Sequence, residues 1–538
     1  MKIYNSIIKL VAGVLAGALL ISSCANFEEI NSDPDATNTV NPSLIATGLI
    51  TSYVKSARGF GPVVFQKQLF NPTGKPDVNQ YNWLSNDNYD AIRTLTDAQK
   101  MAEFASEEMK DAYTGLYYFL KGWYFWRATM ETGDMPYSQA LNISEYKYPK
   151  YDAQKDIFAG ILDDLAKAEE CFARSAYDFQ GDPFYNGNCA NWRKATNVVL
   201  LKVLMSLQKR AEDTPELKVK ETFKSIVEAG NLFTSNDDNL MMVFSENPST
   251  NRNPYHVTIE LQNDMYWAAG KMLVDPFKEY EDYRLFYYFA PSEALTNPAC
   301  YEFAKANGDI PADQPMLTAD DWNAYNGMDV AAVYSVEEKV WVKKLHCKTN
   351  EIYRFSYAGV PCIRLGYGDM NFILAEAAER GWISGSAKTY YDNGVRANLE
   401  FVKDWFKPFT YNEVEYNPSH GREITDEYIA NYLKAPKTAY AIGGTQTDRL
   451  HQIWMQSYLA NYFHQAYDEY FTFRRTGYPV WPVNPASNLN DGDTSKIPTR
   501  WLYPTSEYDY NNENRVAAVK AQGWGAEETI NDIMWVIK

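Results

Sequence analysis

The chain is poor in the residues that metal and redox chemistry need. Its 538 residues include six cysteines and five histidines. Cys24, Cys171, Cys189, Cys300, Cys347 and Cys362 form no CxxC pair, and His256, His346, His420, His451 and His464 fall in no HExxH, so a zinc site has little support. If Cys24 is modified, five thiols remain and at least one is unpaired; Cys171 with Cys189 is a candidate bridge that spacing alone does not establish. GxGxxG and GxxxxGK[ST] phosphate cradles are missing, as are a Gly-x-Ser-x-Gly elbow and a cysteine with a motif-placed histidine. Nucleotide binding and covalent catalysis therefore lack their usual sequence supports. A glycosidase needs two carboxylates alone, and 69 acidic residues leave that class open, although pairs such as Glu279 with Asp282 read as ordinary solvated charges. Positive charge is also short: 51 Lys and Arg give a net charge of -18, which argues against nucleic acid or anionic lipid as the main partner. The apolar run from Leu10 to Ile21 is shorter than the roughly 20 residues that span a bilayer.

What is abundant is aromatic surface. The chain carries 41 Tyr, 26 Phe and 14 Trp, and with 46% hydrophobic residues it can bury a large core. Tyr and Trp join an apolar face to a polar edge, so a surplus points to interfaces and ligand sites, with ordinary core use the competing reading for any one ring.

The N-terminus reads as processing rather than fold. Lys2 and Lys9 flank a short charged start, and the apolar run ends in Ile21-Ser22-Ser23-Cys24. This reads as an export signal over residues 1–23, and the small residues before Cys24 resemble a bacterial lipobox, with Cys24 the lipid attachment site. Several acyl chains on one cysteine anchor stably where one does not. Ala25-Asn26-Phe27-Glu28-Glu29 resembles an acidic surface-sorting signal of Bacteroidota lipoproteins. Residues 24–42, rich in Asn, Asp, Pro and Thr towards their end, form a lipid-anchored lead-in.

Residues 43–538 are expected to form one mainly α domain. Leu44, Ile45, Leu49 and Tyr53 begin a first helix; the helical pattern resumes at Asp87 and runs through Met130; Ile157, Ile161, Leu165 and Ala168 mark another; and Trp192 to Arg210 is apolar nearly all round, as a helix inside a bundle would be. Successive pairs suggest tetratricopeptide-like hairpins without a strict 34-residue period. Asn71 to Asn88 packs amides and aromatics into a loop, read as a ligand surface or a buried plug. Between Thr234 and Ala358 the periodicity fades, and that stretch is taken as the loop-rich half supplying much of the binding face. Order returns in a helix that Asp369 can cap and Gly381 can end, followed by a helix through Ala387, Tyr391, Val395 and Leu399. Trp454, Tyr458, Tyr462, Ala466 and Tyr470 recur every four residues, predicting one helix that ends at Arg474, Arg475 and the left-handed cap Gly477, with those cations against the last carbonyls and Pro479 beyond. The loop Asn488-Leu489-Asn490-Asp491-Gly492-Asp493 offers oxygen ligands for a structural calcium, but it departs from an EF-hand, and a plain Asx-rich turn is the stronger expectation.

The run Phe473-Arg474-Arg475-Thr476-Gly477-Tyr478-Pro479, then Ile497-Pro498-Thr499-Arg500 and Tyr503-Pro504-Thr505-Ser506-Glu507, resembles the C-terminal part of SusD/RagB-type outer-membrane nutrient-binding lipoproteins. Arg364 to Ala377 and the helix after it resemble a second stretch of that family. The resemblance implies a SusD-like helical fold and a surface-exposed lipoprotein of the outer membrane that passes its ligand to a TonB-dependent, SusC-like transporter, with no catalysis. The reading is of a glycan or oligosaccharide binder, the ring candidates being Tyr81 with Trp83, Tyr266, Trp267 and Trp322, and Asn79 for hydroxyl contacts. A peptide-capturing RagB-like lipoprotein with a deep charged cavity, a glycoside hydrolase and a helical adaptor stay as alternatives.

Overall fold

The computed structural model describes residues 40–55, 81, 89–259, 267–465, 467–490 and 492–538. Helix α1 (Pro42–Lys55) is followed by α2 (Leu95–Phe104), α3 (Lys110–Thr132), α4 (Gln154–Arg174), α5 (Cys189–Ser206) and α6 (Val219–Ala229), each from α2 onwards packed on the one before it. The long pattern expected from Asp87 to Met130 is cut into pieces, because Ala105 and Ser106 take extended backbone between α2 and α3. Gly122 lets α3 and α4 close on each other: a Cβ there would stand 2.6 Å from the Leu165 side chain. Asn188 caps α5 by accepting from the Asn191 N–H, and the helix is buried nearly all round, as its composition requires.

The middle of the chain is less irregular than its weak periodicity suggests. After β1 (Leu240–Met242) come α7 (Lys271–Glu279), α8 (Arg284–Tyr288), β2 (Phe289–Ala290), α9 (Pro298–Ala306), α10 (Tyr334–Val342), β3 (Lys348–Thr349) and β4 (Cys362–Leu365). These helices span two turns or so, too short for a 3.6-residue period to stand out, although Asn297 and Pro298 give α9 a regular cap and first residue. β1 pairs antiparallel with β4, and β2 with β3.

Helix α11 (Tyr367–Glu379) divides two cores. Met370, Leu374 and Ala377 join the α1–α6 core, while Phe372 and Ala375 join a second core built from α7, α8, α12 (Ala387–Trp405) and later helices. Gly366 is the N-cap of α11, so Asp369 stands inside its first turn and pairs with Lys202 instead of capping. Gly381, at φ +72°, follows the helix end as expected. A hairpin of β5 (Phe409–Tyr411) and β6 (Val414–Tyr416) leads to α13 (Asp426–Tyr432) and α14 (Gln446–Ala460). The helix expected to run on to Tyr470 stops at Ala460, because Phe463 and Gln465 adopt positive φ, and it restarts as α15 (Asp468–Thr476). Gly477 caps α15 in the left-handed region, but the two arginines do not serve its carbonyls: Arg474 donates to the Thr499 and Met130 carbonyls, and Arg475 pairs with Glu376. The five described cysteines are free thiols, Cys171 and Cys189 included. Asn488 and Asn490 fasten their loop through hydrogen bonds: the Asn488 side-chain amide donates to the Thr494 and Lys496 carbonyls and that of Asn490 to the Lys496 carbonyl.

Candidate functional site

Exposure sorts the tryptophans. Among those described, Trp322, Trp341, Trp405 and Trp535 are half-buried and the rest are buried. Trp267 lies in the second core between Tyr255 and Phe463, their ring centroids 6.0 and 6.2 Å away. Tyr81, at φ +59°, is buried in the first core, and its hydroxyl donates to the Pro482 carbonyl. Asn79, Trp83, Tyr266 and Cys24 lie outside the described residues. Of the six candidates the structure therefore places Trp322 at the surface, Tyr81 and Trp267 inside different cores, and brings no two of the described ones into contact.

Trp322 opens a short turn whose start Asp321 caps by accepting from the Asn323 N–H. Its indole meets Phe286 edge-on at 4.7 Å and leans towards Tyr283 at 6.1 Å. Tyr283 in turn stacks on Tyr428, from the first turn of α13, at 4.1 Å and 14°. The Arg422 guanidinium lies 5.7 Å from the Tyr283 ring and 5.6 Å from Phe286, and its Nε and Nη2 both donate to the Asp320 carbonyl at 3.0 and 2.9 Å. The Thr318 hydroxyl, with Arg422 adding to it, holds the Asp320 carboxyl below its ordinary range. Tyr283, Trp322, Arg422 and Tyr428 are all half-buried, so they form a ledge rather than a core.

A rigid floor underlies the ledge. Directly after Tyr283, Arg284 and its partner Asp282 are both fully buried and bonded at 2.6 Å, with Asn398 accepting from Nη1, Gln456 accepting from Nη2 and the Tyr432 hydroxyl donating to Asp282. The Tyr428 hydroxyl accepts from the Tyr283 N–H and donates to the Glu281 carbonyl, which fixes the stacked pair. What remains available at the ledge is aromatic faces, a guanidinium edge and the carboxylates of Asp320 and Asp321. That set suits a ring with an apolar C–H face and equatorial hydroxyls. Sequence reading missed Tyr428 and Arg422: neither stands in a motif, and the chain must fold to bring them to Tyr283.

A deeper crevice lies where α5, α11, α14 and α15 meet. It encloses about 80 Å³ and is lined by Lys202, Asp369, Asp468, Glu376 and Arg475 among aromatic side chains. Its charges answer one another. Lys202 meets Asp369, Asp468 (2.5 Å) and the Gln465 amide oxygen, and although burial alone would depress its ammonium, the two aspartates push it up to about 12. Burial would raise the Glu376 carboxyl, but Arg475, gripping both of its oxygens, with Arg380 and the Trp454 indole N–H, holds it down to about 2. Among the described residues no group of three His, Cys, Asp or Glu side chains is arranged to hold a metal, and no helix is long and apolar enough to cross a membrane.

Comparison with known proteins gives a consistent result. Residues 37–504 match the SusD-like family described as starch-binding and associating with the outer membrane. A SusD homologue from Bacteroides fragilis NCTC 9343 is 37% identical, with 93% of this chain and 100% of that one covered at a TM-score of 0.82. A second SusD homologue from the same organism is 30% identical over the same shares, at 0.76. A chitin-binding protein, 22% identical with 93% and 100% covered at 0.68, shares the fold. No curated protein matches.

Proposed function

This chain belongs to the SusD-like family, and from that premise we propose that it is a surface-exposed outer-membrane lipoprotein that binds a glycan and delivers it to a TonB-dependent, SusC-like transporter. The lipid on Cys24 tethers it; the helical frame holds the rings of the ledge still; no bond in the ligand is made or broken. The observation that carries the reading is the half-exposed Tyr283–Trp322–Tyr428 set over the buried Arg284–Asp282 pair. Rings fixed from below lose little side-chain entropy when a sugar lies across them. The family description names starch and one relative of the same fold names chitin, so neutral glucans and chitin oligosaccharides are the first ligands to try.

The charged crevice favours peptide capture less. Each of its cations already has carboxylate partners, and a peptide terminus entering it would have to displace buried ion pairs at a cost of several kcal/mol.

The test is affinity electrophoresis of the mature protein through gels containing single glycans, with Trp322→Ala and Tyr283→Ala beside the wild type. Retardation by at least one glycan, weakened in both variants, is the expected result. Retardation untouched in both variants removes the ledge as the site, and retardation on no glycan removes the carbohydrate reading.

A further inference from the structure

A second set of half-buried rings borders an open groove that shares no lining residue with the Trp322 ledge. The groove holds about 210 Å³ between the end of α12, the first strand of the β5–β6 hairpin and the segment 356–361, and its lining includes Trp405, Lys407, Pro408 and Phe409 facing Ser356 and Pro361. The hairpin is built to present rings. Its turn residues Asn412 and Glu413 both take positive φ, and its register sets Phe409 opposite Tyr416 and Tyr411 opposite Val414, so one face carries these four while Thr410 and Glu415 share the other. Phe409 stacks on Tyr416 at 5.2 Å and 13°, and Tyr411 stacks on Phe355 at 5.5 Å and 6°. The neighbouring Tyr357, between groove residues Ser356 and Ala358, is clamped by His256 stacked at 4.2 Å and by the Arg252 guanidinium 4.0 Å from its ring.

The charge of this groove runs against the rest of the molecule. Net charge over the whole chain is -18, yet Lys407 is the one charged side chain among the groove's described lining residues. Its ammonium donates to the Lys403 carbonyl and meets no carboxylate within ion-pair range among the described residues. Arg252, one ring away, likewise gives its Nε to a carbonyl, that of Glu246, rather than to an acid. Aromatic faces together with cations unmet by protein anions are complementary to an apolar ring that carries a negative group.

We propose that this groove is a second carbohydrate subsite and that it takes an acidic pyranose, a uronate unit of a polysaccharide. The Trp405 and Phe409 rings meet the C–H face of the sugar, and Lys407 pairs with its carboxylate. This inference rests on the glycan-binding reading above while naming a different ligand class and different residues, so the two fail separately.

Isothermal titration of the mature protein with trigalacturonate and with maltoheptaose tests it, using wild type, Trp405→Ala, Lys407→Met and Trp322→Ala, each checked for a single cooperative thermal transition above the titration temperature. Trp405→Ala is expected to weaken trigalacturonate binding about tenfold, and Lys407→Met about threefold with loss of its salt dependence. Trp322→Ala should leave trigalacturonate binding as it was. Lys407 is exposed, so its variant reports on binding even if Trp405→Ala fails to fold. No trigalacturonate binding by the wild type, or equal binding by wild type and Lys407→Met at low salt, overturns the subsite. Loss of maltoheptaose binding in Trp322→Ala alone bears on the ledge and leaves the groove intact.

Discussion

The crevice on α11 and the ledge at Trp322 are made of the same kinds of side chain and are set differently towards solvent. Each combines aromatic rings with arginine and carboxylates. In the crevice the cations lie against acids: Lys202 meets two aspartates, Arg475 and Arg380 meet Glu376, and the Trp454 indole N–H donates to Glu376. At the ledge the rings are half exposed, and Arg422 gives its shortest bonds to a backbone carbonyl. Composition therefore does not separate the crevice from the ledge; exposure and the identity of the hydrogen-bond partner do. The crevice joins two cores through α11, which contributes side chains to both, so its ion pairs hold the molecule's halves in register.

The sharpest way to break this comparison is to delete one crevice partner. Glu376→Ala leaves Arg475 buried beside an emptied site, and a loss of about 3–5 kcal/mol in urea unfolding is expected. A loss below about 1 kcal/mol would mean that water reaches the crevice and that it belongs with the binding surfaces. The same pair sets a pH window. With its folded pKa held to about 2, below the ordinary carboxylate value, Glu376 contributes stability that is fully present above the unfolded pKa and drains away as pH falls towards the folded one. The gap in urea midpoint between wild type and Glu376→Gln should therefore be widest above pH 4.5 and narrow steadily towards pH 2. A gap constant across that range would detach the stabilisation from the charge on Glu376.

Trp322→Ala should behave in the contrary way. Its ring is partly solvated and touches Phe286 and Tyr283 from one side, so stability should fall by about 1 kcal/mol while affinity for a neutral oligosaccharide falls roughly tenfold or more. Stability loss exceeding affinity loss, measured by paired melting and titration, would return Trp322 to the core.

The same contrast explains what could be read from the sequence. Helices α4, α5, α11 and α12 were legible because their apolar spacing extends over three or more turns, and the glycine after α15 marked its end. The break after Ala460 was not, because the four-residue aromatic spacing through Tyr462 runs straight across it while the positive φ at Phe463 and Gln465 leaves no compositional trace. Asp369 looked like a cap since it precedes an apolar run; Lys202, 167 positions earlier, claims it instead. Trp322 was legible as a ring in a polar loop. Trp267 carried the same signature and lies in the core, since nothing local distinguishes a loop ring that faces outward from one that closes over Tyr255 and Phe463. Tyr283 is 145 positions from the Tyr428 hydroxyl its N–H meets, a distance across which periodicity carries no information.

Arg422 gives the smallest effect and the finest discrimination. Its guanidinium sits beyond 5.5 Å from both ring centroids and is half exposed, so its cation–π contribution is on the order of 0.5–1 kcal/mol and is partly screened. Arg422→Gln is accordingly expected to weaken glycan binding about threefold with almost no change in the thermal transition. Arg422→Lys should not restore it, because an ammonium cannot send two donors from one plane into the Asp320 carbonyl, and the turn carrying Trp322 depends on that fork for its position. If lysine restores full affinity, Arg422 acts as charge alone; if glutamine costs several kcal/mol of stability, the ledge shares the crevice's structural burden and the distinction between the two regions fails at this residue.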